Sequence, residues 1–361
     1  MIKLIHTGDI HIGSALKNLP AEKAKIRKAE LIDGFAKICK YAQENGVYGV
    51  LIAGDLFDET GVPAHILRQV FSLFENSKPV RFFYVSGNHD GAQSLMREAP
   101  DNVFFFSQNQ PFTTYDLGEK VTLTGMDERC FSTENFMQMR FAPDAFNILT
   151  LHGDIRGDNR ARAHVPLSLL QNKNVDYLAL GHIHQPTRTV EKIDARGHYR
   201  YCGTPESRGF DEIGERGFFL LEIANGKLIN EKFLSFATRS AREVKVDISH
   251  CREYADIERA VFLATQNVPR GDMLYCVLCG GYAVELRKDL SLLTARLLGE
   301  FFHVKVSDES RLILSPSAFE KDVTERGEFV REVHKYGLAP LLKEEVLEVG
   351  LKALLGEEID L

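Results

Sequence analysis

The sequence predicts an α/β protein whose first half forms a parallel sheet covered by helices. Apolar, strand-like segments alternate there with helical ones, and a short polar cluster follows the end of each of five strands. A strand–helix–strand–helix–strand order implies parallel pairing, with helices over the faces of the sheet. In such sheets ligands bind beyond the carboxyl ends of the strands. The same pattern therefore predicts both the fold class and the position of a functional site.

The individual elements follow from the hydrophobic period of each segment. Residues 21–44 carry apolar side chains at helical spacing, including Leu31 and Phe35, which predicts a long amphipathic helix. A second helix is expected at 63–76, since Pro63 suits a first helical turn. Short apolar runs predict the intervening strands, which we place at residues 3–7, 47–53, 81–86, 148–151 and 177–180.

The second half of the chain predicts a further sheet and a smaller domain. Hairpin-like segments at 199–203, 217–223 and 227–236 are expected to close a second sheet against the first. From residue 239 a strand–helix pattern predicts a small α+β domain, and the last residues carry a helical stripe of leucine and valine. We therefore divide the chain into residues 1–238, residues 239–317 and a helical tail, 318–361.

The charge of the chain leaves a polyanionic partner open. The chain carries 44 Lys and Arg against 51 Asp and Glu, a net charge of −7, and −5 of this lies from Glu320 onward. The preceding residues are nearly neutral and become positive once two divalent ions bind. No apolar stretch reaches membrane-spanning length, no GxxxxGK[ST] loop is present, and we expect no signal peptide. With six scattered cysteines, the sequence predicts a cytoplasmic protein without a membrane partner or its own ATPase activity.

Five polar clusters carry the donor atoms of the predicted site. They combine carboxylates, an amide and imidazoles but no thiolate, a mixture that suits two first-row divalent metals such as manganese. Two metals held close together clamp a phosphoryl group and activate water for in-line attack. The clusters are Asp9-Ile10-His11, Gly54-Asp55-Leu56-Phe57-Asp58, Gly87-Asn88-His89-Asp90, His152-Gly153 and Gly181-His182-Ile183-His184.

Asp55 is predicted to bridge the two metals, because Gly54 permits a tight turn that brings the carboxylate to the rim of the sheet. By itself a GDxxD sequence is more often a turn with a helix cap, but turns do not explain the histidines around it. Asp9 and His11 stand two residues apart, so in an extended segment both point to the same side and chelate one ion. Asp58 is expected to orient a ligand or to start a helix.

His89 is the predicted proton donor. A phosphodiester leaves as an alkoxide, so a proton donor near the bridging phosphate lowers the barrier. Asn88 supplies a neutral oxygen to a metal and leaves His89 free, and Asp90 is expected to hydrogen-bond the His89 ring and hold its tautomer. A role for His89 as a further metal ligand stays open.

Three arginines after the fourth polar cluster form a candidate substrate-binding loop: Arg156, Arg160 and Arg162. Guanidinium groups bind phosphate through paired hydrogen bonds. Asp154 and Asp158 interrupt this run of positive charge, so an ordinary solvated loop is an equal alternative.

In this order the clusters resemble the DxH, GDxxD, GNHD, H and GHxH motifs of the calcineurin-like metallophosphoesterase superfamily. Residues 9–13, 51–58 and 201–205 are similar to the SbcD/Mre11 branch of DNA repair nucleases. Residues 214–218 resemble the strand start that follows the metal site in that branch, and residues 324–330 resemble the tail of its YhaO-type members.

The resemblance implies a four-layered αββα catalytic domain over residues 1–238, a capping domain over 239–317 and a partner-binding tail over 318–361. It implies manganese at both metal positions, DNA as the substrate and an SbcC/Rad50-like ATPase as the partner, with a homodimer left open. His89 would act on the leaving group. One metal would be held by Asp9, His11, Asp55 and His184, and the other by Asp55, Asn88, His152 and His182.

Three residues depart from the pattern of the branch. Asp58 stands where several relatives carry histidine, Cys202 replaces a common proline, and Gly91 replaces a common serine. These departures remove no predicted ligand, but strand polarity and the balance of exonuclease and endonuclease activity stay open. We predict a manganese-dependent exonuclease of DNA repair. The alternatives are a phosphoesterase acting on nucleotides or other small phosphodiesters, and a non-catalytic scaffold.

Overall fold

Two six-stranded sheets dominate Met1–Ala241, the first of two units into which the chain divides, the second being Arg242–Leu361. The computed structural model describes residues 1–58, 62–90, 98–106, 110–157, 163–313 and 322–355. The strands of the first unit are β1 (Ile2–Thr7), β2 (Gly49–Ala53), β3 (Arg81–Val85), β4 (Val103–Phe105), β5 (Thr113–Gly118), β6 (Val121–Gly125), β7 (Phe146–His152), β8 (Tyr177–Gly181), β9 (Glu191–Lys192), β10 (His198–Tyr201), β11 (Gly217–Ala224) and β12 (Lys227–Ser235).

Helices of very different length accompany these strands. The long first helix buries Phe35, Ile38 and Ala42, which lie three to four residues apart, as the apolar stripe predicts. A shorter one begins where the Ser132 side chain accepts the main-chain N–H of Asn135 at 3.1 Å. The described helices are α1 (Ala21–Glu44), α2 (Ala64–Asn76), α3 (Thr133–Gln138) and α4 (Leu167–Leu170), with a 3-10 turn at Glu128–Cys130.

Parallel pairing brings several strand ends to one edge of each sheet. The first sheet has the order β12-β11-β1-β2-β3-β4, and the second has the order β5-β6-β7-β8-β10-β9. Strands β1 to β4 are mutually parallel, and so are β6, β7, β8 and β10. The predicted strand–helix–strand–helix–strand order and the α/β fold class are therefore confirmed.

The origin of the second sheet differs from the prediction. The hairpin β11–β12 does not belong to that sheet; it pairs antiparallel with β1 and extends the first one. The second sheet is instead built largely from β5 to β8, with β10 added parallel to β8. The hairpin prediction was wrong because hydrophobic alternation identifies a strand but not its neighbour. The hairpin pairs through β11 with the edge of β1 that does not face β2.

Side chains that alternate along the strands separate the first unit into four layers. Between the sheets, Leu4 and Leu51 of the first sheet share a core with Ile148 and Tyr177 of the second. On the outer face of the first sheet, Ile5 and its neighbours pack against α1 and α2. On the outer face of the second sheet, β7 and β8 pack with residues of α3 and α4. The predicted αββα layering is present.

The second unit is a smaller α+β body with its own apolar core. The C-terminal helices contribute to that core, since Val330, Val333, Leu347 and Leu351 join the same buried cluster as Leu278. The division into a capping domain and a separate tail at residue 318 stays a prediction. The elements are β13 (Ala241–Asp247), α5 (Tyr254–Thr265), β14 (Met273–Cys279), β15 (Gly281–Tyr282), α6 (Leu290–Leu298), β16 (His303–Asp308), β17 (Arg311–Leu312), α7 (Glu325–Lys335) and α8 (Pro340–Leu355).

The helices fall short of what a membrane span requires. Within the described residues, none is both long enough and apolar enough to cross a bilayer.

Candidate metal centre

The predicted donors follow the carboxyl ends of strands in both sheets of the first unit. Asp9 comes two residues after β1, Asp55 two residues after β2, and Asn88 three residues after β3. In the second sheet His152 is the last residue of β7, and His182 directly follows β8. The sequence positions of the polar clusters therefore correspond to one edge of the sandwich, as expected for a parallel sheet.

Four of the donor residues hold a left-handed backbone conformation that side chains seldom adopt. The φ angles are 48° at Asp9, 52° at His11, 48° at Asp55 and 89° at His182. Main-chain hydrogen bonds stabilise this geometry, because the N–H of Asp9 donates to the Gly54 oxygen at 3.0 Å and that of His11 to the Asp55 oxygen at 2.9 Å. Strained backbone of this kind concentrates at functional sites. The extended segment predicted for Asp9 and His11 is therefore wrong, because both residues lie in a left-handed turn.

Two glycines let donor groups pass directly against bare backbone. A Cβ atom at Gly54 would lie 2.1 Å from Nδ1 of His152, and a Cβ atom at Gly87 would lie 2.1 Å from Oδ1 of Asp55. Both distances are far below any van der Waals contact. The predicted role of Gly54 in bringing Asp55 to the rim extends to making room for a histidine from the other sheet.

One group of donors consists of Asp9, His11 and His184, whose ligand atoms lie within 4.8 Å of one another. The Nε2 atoms of the two histidines are 3.2 Å apart. Nδ1 of His11 donates to Asp58 at 2.8 Å, and Nδ1 of His184 lies 3.0 Å from Oε1 of Glu212. Nδ1 of each ring thus faces a carboxylate, and the two Nε2 atoms face each other. A cation between them fits this arrangement.

A second group centres on His152. Its Nδ1 donates to the main-chain oxygen of Ala53 at 2.9 Å, which turns Nε2 toward the other donors of the group. That Nε2 faces Oδ1 of Asn88 at 3.0 Å and Oδ2 of Asp55 at 3.3 Å. The same Asp55 oxygen lies 3.7 Å from Nε2 of His11 in the first group. One carboxylate oxygen thus stands between two clusters of acceptors, which is the arrangement that a bridging ligand requires.

His182 lies beside this second group. Its ring centre is 5.1 Å from that of His152, and its main-chain N–H donates to both carboxylate oxygens of Asp9 at 3.0 Å. Burial lowers the pKa of His182, and the nearby positive charge of His152 lowers it further. A neutral imidazole is the form that binds a metal.

The ionised groups of the site stabilise one another. Burial raises the pKa of Asp55, but the hydrogen bond and charge of His152, with the charge of His11, outweigh it and lower the pKa to about 2. Burial lowers the pKa of His152, but Asp55 and Asp9 outweigh it and raise the pKa to about 9. In the metal-free protein His152 therefore holds a proton at neutral pH, which a metal must displace.

His89 lies at the rim of the site, where its ring forms a third group of possible ligands with His11 and Asp58, all within 4.8 Å of one another. Its side chain is 45% exposed, while that of His11, 5.2 Å away between ring centres, is almost completely buried. The main-chain N–H of His89 donates to Oδ1 of Asp55 at 3.0 Å, and its ring Nδ1 lies 2.9 Å from the main-chain oxygen of Asp58. The ring is held beside the donor groups and remains accessible from solvent.

Asp90 does not hold the His89 ring, so this part of the prediction was wrong. Its carboxylate accepts the main-chain N–H groups of Phe57 at 3.0 Å and Gly87 at 2.9 Å, and so ties together the loops after β2 and β3. Burial, with repulsion from Asp55, raises the pKa of Asp90 to about 6. The two residues were expected to pair because they are adjacent in sequence, but the turn points them apart.

Asp58 contacts the rings of both His11 and His89. The sequence had predicted that Asp90 would hydrogen-bond the His89 ring. Its carboxylate accepts from His11, and its main-chain oxygen contacts His89. The bond to His11 is consistent with the prediction that Asp58 orients a metal ligand. This hydrogen bond outweighs burial, which acts in the opposite sense, and leaves the pKa of Asp58 below its ordinary value.

Two residues of the site were not predicted from the sequence. Glu212 is 1% exposed and stands behind His184, and Arg208 donates to its carboxylate from both the main chain, at 2.7 Å, and Nε, at 2.9 Å. They belong to an irregular segment between β10 and β11 with no strand end to mark it. The sequence signal that could have identified them is the four-residue spacing of Arg208 and Glu212.

The candidate substrate-binding arginines are only partly described. Arg156 is exposed, and its main-chain N–H donates to the Asp154 carboxylate at 2.8 Å. Arg160 and Arg162 lie outside the described residues. A contact of any of the three with substrate stays a prediction.

A cavity of about 340 Å³ opens beside the first donor group. Asp58 and Arg208, which contact the histidines of that group, form part of its wall, and Lys17 and Asn18 form another part. The cavity is polar and of mixed charge. It provides room for a group bound next to the metal ligands.

A family model described as Calcineurin-like phosphoesterase matches residues 2–186, about half of the chain. The chain belongs to this family. The membership that the motifs predicted is confirmed, and the matched span contains all seven predicted metal ligands. The family and the donor groups together support two divalent metal ions.

Curated relatives are similar at modest identity. The chain is 25% identical over 290 residues to the "DNA double-strand break repair protein Mre11" of Methanopyrus kandleri, covering 72% of this chain and 62% of that protein. It is 27% identical over 245 residues to the "Uncharacterized metallophosphoesterase YhaO" of Bacillus subtilis, covering 64% and 59%. It is 23% identical over 286 residues to one of the subunits of the nuclease SbcCD from Staphylococcus epidermidis, covering 68% and 72%.

The matches cover these relatives unevenly. The chain spans less than two thirds of the length of the Methanopyrus and Bacillus proteins. All three matches are consistent with the SbcD/Mre11 branch within the family.

Proposed function

We propose that this protein is a manganese-dependent DNA phosphodiesterase, an exonuclease that acts in DNA repair. One observation carries the phosphodiesterase part: two groups of lone-pair donors face each other across a single oxygen of Asp55 in a calcineurin-like phosphoesterase. The choice of DNA is supported by the name of the Methanopyrus relative, and nuclease activity is supported by the name of the Staphylococcus relative.

The donor residues fit two ions of the proposed kind. Oxygen and imidazole donors without thiolate suit manganese better than softer metals. When bound, the ions supply Lewis acidity toward the phosphoryl oxygens and an activated water as nucleophile. We assign one ion to Asp9, His11, Asp55 and His184, and the other to Asp55, Asn88, His152 and His182.

We assign proton transfer to His89. Its ring is exposed and lies next to His11, so a phosphodiester bound at the metals comes within its reach. Nδ1–H of His89 donates to the main-chain oxygen of Asp58, so in the doubly protonated ring the Nε2–H is the proton available to the departing oxygen. A proton delivered there neutralises the alkoxide as the bond to phosphorus breaks. Asp90 acts indirectly, by holding the loop that carries His89.

The proposed partner is an SbcC/Rad50-like ATPase, supported by the name of the Staphylococcus relative, which belongs to a nuclease called SbcCD. The helices α7 and α8 are our candidate partner-binding segment, and a homodimer stays a prediction. A cytoplasmic location is supported by the six cysteines, none of which forms a disulfide.

A time course on end-labelled DNA tests this function. Single-stranded and duplex substrates would be incubated with manganese, with and without a candidate ATPase, beside bis-p-nitrophenyl phosphate at the same manganese concentration. We expect stepwise shortening from a DNA end that EDTA abolishes. Turnover of the small ester with intact DNA would favour a small-phosphodiester enzyme. Fewer than two manganese ions per chain and no turnover of either substrate would favour a scaffold.

A further inference from the structure

The two donor groups differ in what stands behind their histidines. In the first group, carboxylates contact the Nδ1 atoms of both imidazoles: Asp58 lies 2.8 Å from that of His11, and Glu212 lies 3.0 Å from that of His184. In the second group, Nδ1 of His152 donates to a neutral main-chain oxygen at 2.9 Å. This asymmetry is independent of the substrate.

Glu212 is held in place by several donors at once. Its carboxylate accepts the main-chain N–H of Arg208 at 2.7 Å on one oxygen and the Arg208 guanidinium at 2.8 and 2.9 Å on the other. The Thr204 hydroxyl donates to it at 3.4 Å. A side chain fixed by four donors and 1% exposed cannot turn away when the ring of His184 moves.

A second arginine ties the Glu212 segment to the loop of His184. The buried guanidinium of Arg216 donates to the main-chain oxygen of His184 and, at 3.2 Å, to that of Glu212. The ring and its carboxylate are therefore positioned relative to each other by the main chain as well as by their direct contact. Arg208 Nη2 also lies 2.9 Å from His184 Nδ1. Both nitrogens are close to the same oxygen of Glu212.

A carboxylate behind a histidine ligand does more than a carbonyl. It fixes the tautomer in which Nε2 carries the lone pair, and its negative charge strengthens that nitrogen as a donor to a metal. A neutral carbonyl also orients the imidazole ring, but it strengthens the Nε2 donor less because it carries no negative charge. The first group has two such carboxylate contacts at imidazoles, and we therefore expect it to hold its ion more firmly.

We propose that Glu212, anchored by Arg208, is a positioning residue that aims His184 and makes the metal position of Asp9, His11 and His184 the tighter of the two. This inference rests on the proposed metal-dependent function but on no particular substrate. The five polar clusters that supply the predicted ligands end at His184, so Glu212 adds a residue outside them to the determinants of metal binding.

The test is manganese titration of the full-length, metal-depleted protein by calorimetry, with bound ions counted independently. The wild type is expected to bind two ions in unequal steps. Glu212→Gln keeps the shape of the side chain and removes its charge, and we expect it to weaken only the tighter step, by roughly 10- to 100-fold. Glu206→Gln is the matched control, because Glu206 is a buried acid of the same segment whose partner, at 3.1 Å, is Arg27 and not a predicted metal ligand. It should leave both steps unchanged.

Several outcomes would overturn the proposal. They are equal steps in the wild type, an unchanged tighter step in folded Glu212→Gln, or equal weakening of both steps, which would mean a merely structural role. If that variant does not fold, Arg208→Lys provides the second test, since it keeps the charge but loses the paired hydrogen bonds and should weaken the tighter step several-fold. A wild type that binds two unequal ions yet leaves DNA intact would contradict the proposed substrate and not this inference.

Discussion

The two units of the chain bury different kinds of side chains. In the first unit, charged and imidazole groups such as Asp9, Asp55 and His152 are at most 2% exposed. In the described part of the second unit, the buried polar side chains are those of Thr265, Asp272 and Ser310. Burying a charge is costly unless it is paired or bound to a metal. The first unit therefore buries charged side chains that serve its chemistry, while the core of the second unit consists mainly of apolar side chains that stabilise the fold.

The largest effect that can test this contrast comes from removing the shared carboxylate. Asp55→Ala should abolish measurable phosphodiester cleavage, a loss of roughly 10³-fold or more, because several kcal/mol of metal-dependent stabilisation disappear. Metal analysis should find both ions lost or strongly weakened. Asp101→Ala, at a surface carboxylate that is 81% exposed, is the control and should behave as the wild type. Unaltered metal content in Asp55→Ala would disprove the bridging role.

The next effect separates proton transfer from metal binding within the first unit. His89→Ala should lower the rate of cleavage by roughly 10²- to 10⁴-fold, the usual range for a general acid, while both ions remain bound. Rate and manganese stoichiometry would be measured on the same sample. His65→Ala, at an exposed histidine of α2, is the matched control. Full activity of His89→Ala would refute its assignment as proton donor.

A core substitution in the second unit should show the opposite behaviour. Leu278 on β14 is fully buried, so Leu278→Ala should lower the free energy of unfolding of this unit by about 2–5 kcal/mol. Turnover of bis-p-nitrophenyl phosphate should not change, because the predicted donor residues all lie in the first unit. Denaturant unfolding and steady-state kinetics would measure the two quantities. A loss of bis-p-nitrophenyl phosphate turnover in the folded variant would contradict the conclusion that the second unit takes no part in the chemistry.

The smallest effect concerns a buried charge that has no part in the metal centre. Burial raises the pKa of Glu30, but hydrogen bonds from Arg239 and Arg27 outweigh it and lower the pKa below its ordinary value of 4.5. A lowered pKa means that the ionised form stabilises the fold above about pH 4.5 and that this contribution is lost as the pH falls further. Glu30→Gln should therefore reduce the free energy of unfolding at pH 7 by about 1–2 kcal/mol. The difference from the wild type should vanish in acid, as unfolding curves between pH 3 and pH 7 would show.

Much of the fold and of the site was predictable because both depend on strand ends. The period of β1, β2 and β3 and the polar residues after them placed Asp9, Asp55 and Asn88 at one edge. The pairing of β11 with β1 was not predictable, since many partners satisfy the same alternation. The roles of Asp90 and Glu212 were missed for a related reason. Hydrogen bonds within turns depend on local backbone geometry that residue types do not specify.

The bare backbone at Gly54 and Gly87 makes the smallest possible mutation one of the most damaging. A single added methyl would occupy the space of the His152 ring or of the Asp55 carboxylate, although every donor residue would still be present. An inventory of ligands is thus not enough to judge whether a homologous gene encodes an active enzyme. The codons of the first glycine in the second and third motifs carry the same diagnostic weight as those of the ligands.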